Sequence, residues 1–397
     1  MPEAGASPLP QPLPVTVVGA GLAGSLLALA LARRGVATTL VGPELSQASG
    51  SGGGRHGEPR PAPEGPAAVA GAPAPGAPGA SEAPESAACE AATALSYAAM
   101  AGRPAAEAWI ELERLHGPLG LRRSSLLLHG WPAPLGWLPP RWQGAGTALV
   151  PLSRVDPLAL AAALPGALDA AGVVRRPALV ERIMPVGGGP GGWRLELGGG
   201  EVHQASQVVL AAGAHCRRLW PDLPPQLRFS WAGVIEVPAA ALPAPQEQPG
   251  WLAHARRGGV VQPLRWRRPA LEASSPGLEQ EAWIVDAGLA PWGEALLLGQ
   301  ISLVVPDLDP RRPPDPVLME QRLRQGLADL DPRLAALTGL YRQVPVPYCS
   351  DGRPLAEPLS GAEGLWIFSG FSGAFSAVPA LADQLAQRLA AQGARGR

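Results

Sequence analysis

The sequence predicts an α/β protein: a Rossmann-like domain built on a parallel sheet, joined to a second, antiparallel-sheet (α+β) domain. Three observations carry that prediction. An apolar strand runs through a Gly-x-Gly-x-x-Gly turn into an apolar helix at Val15 to Gly35. A second buried strand, Gln207 to Ala212, ends in Gly213. Between Leu227 and Val305 lies a run of short β-like segments rich in tryptophan (Trp231, Trp251, Trp266, Trp283 and Trp292).

The glycines of the first unit have separate tasks. Gly19 lets the chain turn out of the strand, Gly21 lets the backbone approach a pyrophosphate, and Gly24 lets the helix lie close to the sheet. The helix N-terminus then faces the phosphates with its free N–H groups. A second strand, Thr38 to Val41, ends at Gly42. From Ser46 to Ala88 the chain turns to Gly, Pro, Ala and Ser, with too little bulky apolar surface to offset ordering, so this insert is expected to be disordered.

Ala91 to His116 reads as one or two amphipathic helices interrupted at Gly102-Arg-Pro104, followed by a strand at Ser124 to Leu128 and a Trp/Pro loop. Asp156-Pro157 opens a helix that continues to Ala171 past an expected break at Pro165. Ala178 to Met184, Trp193 to Leu197 and Glu201 to His203 are short strands separated by glycine-rich turns. Gly258-Gly259 reads as a tight hairpin turn. Asp315-Pro316 caps a helix expected to reach about Leu337, with Leu323, Leu327 and Leu330 on one face. The chain closes with a strand at Leu365 to Phe368, a turn at Gly370 to Gly373, and a helix with Leu381, Leu385 and Leu389 in register.

Composition removes several function classes. The net charge of -1 gives no general attraction to nucleic acid or to an anionic membrane. All 32 residues counted as Lys or Arg are Arg, which excludes a Schiff-base lysine and the lysine-dependent phosphate loop. Cys89, Cys216 and Cys349 are too far apart in sequence for a disulfide framework or a metal motif, so no metal is expected. The apolar run Leu22 to Ala32 lacks a preceding Lys or Arg and is followed by two arginines, which argues against a signal peptide. The expectation is a cytoplasmic protein with no membrane partner.

Taken in order, these blocks resemble the D-amino-acid oxidase and glycine oxidase family of FAD-dependent oxidoreductases. The resemblance rests on Gly19 to Gly24, Val155-Asp156-Pro157, Val208 to Ala214 followed by Arg217-Arg-Leu219, Asp351-Gly-Arg-Pro354, and Gly364 to Gly373 with Pro379 on the last helix. It implies FAD, held non-covalently, in a cleft formed by Gly19, Ala20, Gly21, Leu22, Ala23, Gly24, Glu44, Val180, Ala212, Gly213, Gly370, Ser372, Gly373 and Ala374. Val180 is expected to hold the adenine through its backbone, or else to be a plain core valine. His215 is a further neighbour of the cofactor by position. The implied domains are 13–45, 150–216 and 346–394 for FAD, 46–88 as the insert, and 89–149 with 217–345 for substrate.

The same resemblance implies oxidation of a C–N bond in an amino acid or amine by hydride transfer to flavin N5, with oxygen or another acceptor taking the electrons. Such chemistry needs positioning rather than a strong base, and no catalytic dyad is evident. Tyr348, Arg353, Trp231 and His254 are the candidates for the substrate pocket. Three departures from the family pattern stand out. The ribose-binding acid position is Gly42, with Glu44 two residues on. The carboxylate-gripping arginine is absent from Pro345-Val-Pro-Tyr348. The His-Gly pair of the last turn is replaced by Ala374-Phe375. Two alternatives follow. One is the tRNA wobble-uridine-modifying branch, suggested by Ala48-Ser-Gly50 and by Arg265-Trp-Arg-Arg268 beside Arg256-Arg257. The other is a flavoprotein fold kept as a non-catalytic binding module.

Overall fold

The structure is a computed structural model, and it describes residues 13–43, 100–101, 103–129, 148–186, 192–264 and 267–395. The expected insert at 46–88, the part of the expected helix before Met100, and Glu44 lie outside the described residues.

Runs of apolar residues dictate strands buried on both faces, and four of these form the centre of a six-stranded sheet whose two edge strands are more exposed. Its order is β16 (Leu355–Pro358), β17 (Leu365–Ser369), β10 (Gln207–Leu210), β1 (Val15–Val18), β2 (Thr38–Val41) and β6 (Val174–Arg176). All neighbours are parallel except the β16 edge. Helices α1 (Leu22–Ala32), α3 (Pro157–Ala170) and α9 (Ala374–Arg395) cover one face. Helix α2 (Arg103–His116) joins them through Trp109, which is fully buried and donates its indole N–H to the Phe375 carbonyl at 2.7 Å. The other face is covered by a three-stranded sheet of β7 (Val180–Pro185), β8 (Trp193–Leu197) and β9 (Val202–Ala205), through Ile183, Trp193, Leu195 and Leu197.

The second sheet has eight strands in the order β15 (Leu340–Cys349), β11 (Leu227–Val237), β14 (Ala295–Val304), β13 (Ala282–Trp292), β12 (Val260–Pro263), β4 (Leu121–His129), β5 (Ala148–Val155) and β3 (Met100–Ala101). Pairing is antiparallel apart from β12 with β4. Strict alternation gives it two different faces. On the outer face Phe229, Trp231, Ile301 and Leu303 meet Met319, Leu323 and Leu327 of α7 (Pro316–Leu330). On the inner face, turned towards the parallel-sheet half, stand Arg228, Ser230 and Tyr348. The expected domain limits at 149/150 and 345/346 fall inside β5 and β15, two strands of this sheet.

Three element expectations are corrected. Pro165 does not break α3, because Leu160, Leu164 and Leu168 bury one continuous stripe that outweighs one lost hydrogen bond. Helix α7 stops at Leu330. Asp331 precedes a proline and is extended at φ -160°, and it restarts the chain as α8 (Pro332–Ala335). Gly258-Gly259 is not a hairpin turn: it carries the chain from helix α5 (Gly250–Arg256) into β12, with Gly258 at φ +91°. A further short helix, α4 (Cys216–Leu219), follows β10, and α6 (Arg268–Ser274) lies between β12 and β13.

Candidate active site

The strand order brings the carboxyl ends of β17, β10, β1 and β2 side by side, with Val18 level with Val41 and Leu210, and Leu210 level with Ile367. Chain connections leave this point in opposite directions, which opens a crevice at the strand ends. Gly19, Gly42, Gly213 and Gly370 all lie at this edge.

Close packing explains the glycines. Gly19 has φ +113°, and a Cβ on it would stand 2.4 Å from the Ala211 oxygen; a Cβ on Gly24 would stand 1.8 Å from the Gly19 oxygen. Gly21 is the N-cap of α1 in ordinary extended conformation, φ -74° and ψ -171°, and no side chain caps the helix. The first N–H groups of α1, at Leu22, Ala23 and Gly24, therefore have no side-chain cap, and Ala20 and Ser25 close the turn through a hydroxyl-to-carbonyl bond of 3.1 Å.

Beside this turn is an open cleft lined by Gly19, Gly42, Val180, Ala212, His215 and Arg218 among others. The Val180 carbonyl accepts from the Arg218 guanidinium at 3.1 Å. Gly42 cannot be replaced by an acid here, since a Cβ would stand 2.5 Å from the Ala20 nitrogen. An uncapped helix end, a turn pinched to glycine and an adjoining cleft fit the ADP half of FAD.

Gly370 (φ +87°) lies against the second sheet, where a Cβ would stand 2.4 Å from Cys349 Sγ. Gly373 has open space around its Cα, and its carbonyl accepts from the N–H groups of Ser376 and Ala377, the third and fourth residues of α9, at 3.0 Å. Between them Ser372 donates to Glu272 at 2.8 Å. Glu272, only 4% exposed, also accepts from Arg268 Nε at 2.6 Å. Asp286 of β13 receives the backbone N–H groups of Arg267 and Arg268 at 2.9 and 3.2 Å, which pins the start of α6 over the sheet.

Of the four sequence candidates for the substrate pocket, the structure brings one to this place. Tyr348 is fully buried on the inner face, opposite Arg228 across the strands. Burial pushes its phenol pKa up, while the nearby Ser275 and Arg228 pull it back. Trp231 is on the outer face, edge-on to Phe229, because odd-numbered positions of β11 at that end point to α7. His254 bonds the Ser125 carbonyl at 3.1 Å, its ring filling the space above Gly259. Arg353 is exposed in the turn after Cys349. Arg268 points inward to Glu272 rather than joining a basic outer surface. Sequence reasoning placed Arg268 in a basic outer patch and missed Glu272, Ser275 and Arg228; the one signal for Glu272 was an acid close behind Arg267 and Arg268. Cys216 and Cys349 are buried thiols, and burial pushes each pKa up to about 12.

Fold and site together define a two-part nucleotide-binding protein with its cleft at the switch point of a parallel sheet. The chain belongs to the DAO family of FAD dependent oxidoreductases, whose model matches residues 14–388. Among solved structures it is similar to glycine oxidase from Geobacillus kaustophilus, at 19% identity and TM-score 0.55 over 95% of each chain. It is similar also to iminodiacetate oxidase from Chelativorans sp. BNC1, at 17% identity and TM-score 0.58 over 96% of this chain and 95% of that one. L-proline dehydrogenase from P. horikoshii gives 13% identity and TM-score 0.58 over 97% and 95%. A search of curated protein sequences gave no match. Among the described residues, no helix is long and apolar enough to cross a membrane, and no group of three or more His, Cys, Asp or Glu side chains is arranged to hold a metal.

Proposed function

We propose that the protein oxidises a C–N bond of a small amino acid or amine, using non-covalently held FAD and passing the electrons to oxygen or another acceptor. The observation that carries this reading is the meeting of four glycine-bearing strand ends at one crevice. Family membership supports it, as do similar folds whose names include glycine oxidase, iminodiacetate oxidase and L-proline dehydrogenase.

In this reading the Gly19 to Gly24 turn and the N–H groups of α1 hold the pyrophosphate, and the cleft beside Val180 and Ala212 takes the adenosine. With Gly42 closed to a side chain, no acid at that position serves the ribose hydroxyls. The Gly370 to Ala374 turn directs backbone N–H groups to the ring end, where they stabilise negative charge. FAD, when bound, supplies a two-electron acceptor for the hydride leaving the carbon beside nitrogen, and the imine then hydrolyses in water. The chain's part is to hold that carbon in place with the amine neutral, to exclude water beneath α6, and to bind the two reactants in register. The thiol of Cys349, packed against Gly370 and protonated at neutral pH, suits non-covalent attachment. The domain division that accompanies this reading assigns the parallel sheet to FAD and the inner face of the second sheet to substrate.

Absorption spectroscopy tests the proposal. Purified protein reconstituted with FAD is expected to be yellow and to bleach anaerobically with at least one of glycine, sarcosine, D-amino acids, proline or polyamines. Protein that retains no FAD after reconstitution overturns the reading.

A further inference from the structure

The residue that follows the second strand of a dinucleotide-binding sheet is ordinarily an acid, whose carboxylate accepts from a ribose hydroxyl. Here it is Gly42, and a Cβ on it would stand 2.5 Å from the Ala20 nitrogen. A carboxylate at that point does more than hold a hydroxyl, because its charge repels any phosphate on the ribose. At Gly42 that repulsion is missing.

Arginine surrounds the position instead. β6 pairs with β2 so that Leu40 is level with Arg175 and Val41 with Arg176, and the Gly42 N–H donates to the Arg176 carbonyl at 3.1 Å. Successive side chains leave a strand on opposite faces, so the two guanidinium groups bracket the end of β2. Two clefts meet at Gly42. One is lined by Ala20, Ser25, Arg175 and Arg176, and the other, already described, by Val180, His215 and Arg218. Among the described residues that line either cleft there is no Asp or Glu. Both arginines of β6 are held from outside the clefts, Arg175 by Asp169 at 2.7 Å and Arg176 by Glu201 at 2.5 Å, through carboxylates that are 57% and 60% exposed. Exposed ion pairs contribute little to stability, and a phosphate offers a guanidinium more charge and more acceptor oxygens than a carboxylate does. A phosphate at the end of β2 can therefore take over these arginines while the two carboxylates turn to water.

We propose that the adenosine end of the crevice accepts a phosphate on the ribose, received by Arg175 and Arg176 beside Gly42, so that adenine nucleotides phosphorylated at the 2′- or 3′-hydroxyl compete with FAD for the flavin-free protein. This rests on the reading of the crevice as a dinucleotide site and adds a second class of ligand to it.

Calorimetric titration of the flavin-free protein with 5′-AMP, 2′,5′-ADP and 3′,5′-ADP tests the proposal, since these probes differ only in the ribose phosphate. At low ionic strength one of the bisphosphates is expected to bind about tenfold tighter than 5′-AMP, and the isomer preferred identifies the hydroxyl that faces the arginines. The preference is expected to shrink in about 0.5 M NaCl and to vanish in the double variant Arg175→Gln, Arg176→Gln, whose folding is checked by circular dichroism. With the intact dinucleotides, NADP+ is expected to release FAD at about a tenth of the concentration that NAD+ requires, read as flavin passing an ultrafiltration membrane. Equal affinity for the three probes, no binding by any of them, or a preference that survives in the folded double variant overturns the proposal. If FAD is retained in that case, the oxidase reading stands; if FAD fails to bind while a bisphosphate binds tighter than 5′-AMP, the oxidase reading falls and the ribose-phosphate site remains.

Discussion

At the scale of single residues, Gly21 and Gly24 separate the demands of folding from those of ligand binding. Gly24 is required by the fold itself, since its Cβ would overlap the Gly19 carbonyl. Gly24→Val is expected to destabilise the protein by about 3 kcal/mol or more, read as a lower urea midpoint. Gly21 has a backbone conformation open to any residue, and it stands at the uncapped end of α1 where a pyrophosphate would approach. Gly21→Val is thus expected to keep its far-UV circular dichroism and lose FAD; unchanged flavin content would count against the cofactor assignment. Tyr348 behaves in the opposite way to an ordinary buried tyrosine. Its hydroxyl has no hydrogen-bond partner among the described residues, so Tyr348→Phe relieves a buried polar group and is expected to leave ligand-free stability unchanged or raise it by up to about 1 kcal/mol. A clear loss of stability in that variant would show that the hydroxyl is matched within the protein.

At the scale of elements, what the sequence made legible was whatever local pattern and close packing decide together. The strand, turn and helix at Val15 to Ala32, the glycine end of β10 and the final turn were read in place, because apolar runs and glycines leave few alternatives there. Strand β15 was not read. Its Pro345 and Pro347 argue against a strand, and the ladder tolerates them because β15 is an edge of the sheet with one paired neighbour. The polar part of the site was hidden for a related reason: α6 lies far in sequence from Tyr348 and Ser372, and only the folding of the β12 to β13 connection over the sheet brings Glu272 to them. The split of the expected long helix into α7 and α8 gives a test at this scale. Asp331 caps α8, accepting from the Arg333 backbone N–H at 2.9 Å, and its side-chain hydrogen bond with the Arg333 guanidinium holds its carboxyl below the usual 3.8. A carboxyl whose folded pKa is lowered stabilises the fold in full above its ordinary value, and that contribution fades as pH falls through the folded value. Asp331→Ala should therefore cost about 1 kcal/mol at pH 7, and the difference from wild type should shrink below about pH 4 in urea titrations.

At the scale of the whole molecule, the crevice is assembled from segments that are remote in sequence. β1 and β2 come from the beginning, β7 and β10 from the middle, and β17 with its turn from the end. The second sheet is attached to this assembly through the packing of Gly370 on Cys349, the Ser372 to Glu272 hydrogen bond, and the approach of Leu158 to Gly293. A ligand that spans the crevice consequently contacts pieces that no local unfolding event can release one at a time. Binding to the folded chain alone should stabilise it by RT ln(1 + [L]/Kd), about 2.7 kcal/mol at a free concentration 100 times Kd. FAD is therefore expected to raise the unfolding temperature by a few degrees and to keep a single cooperative transition, with fluorescence and circular dichroism changing together. Glu272→Gln, which removes the charge of the group joining the two sheets while sparing the glycine turn, should weaken that coupling and split the tryptophan-fluorescence transition in two, since both halves carry tryptophans. If FAD instead divides the tryptophan transition of the wild-type protein into a shifted and an unshifted part, the two sheets unfold independently and the crevice is not shared between them.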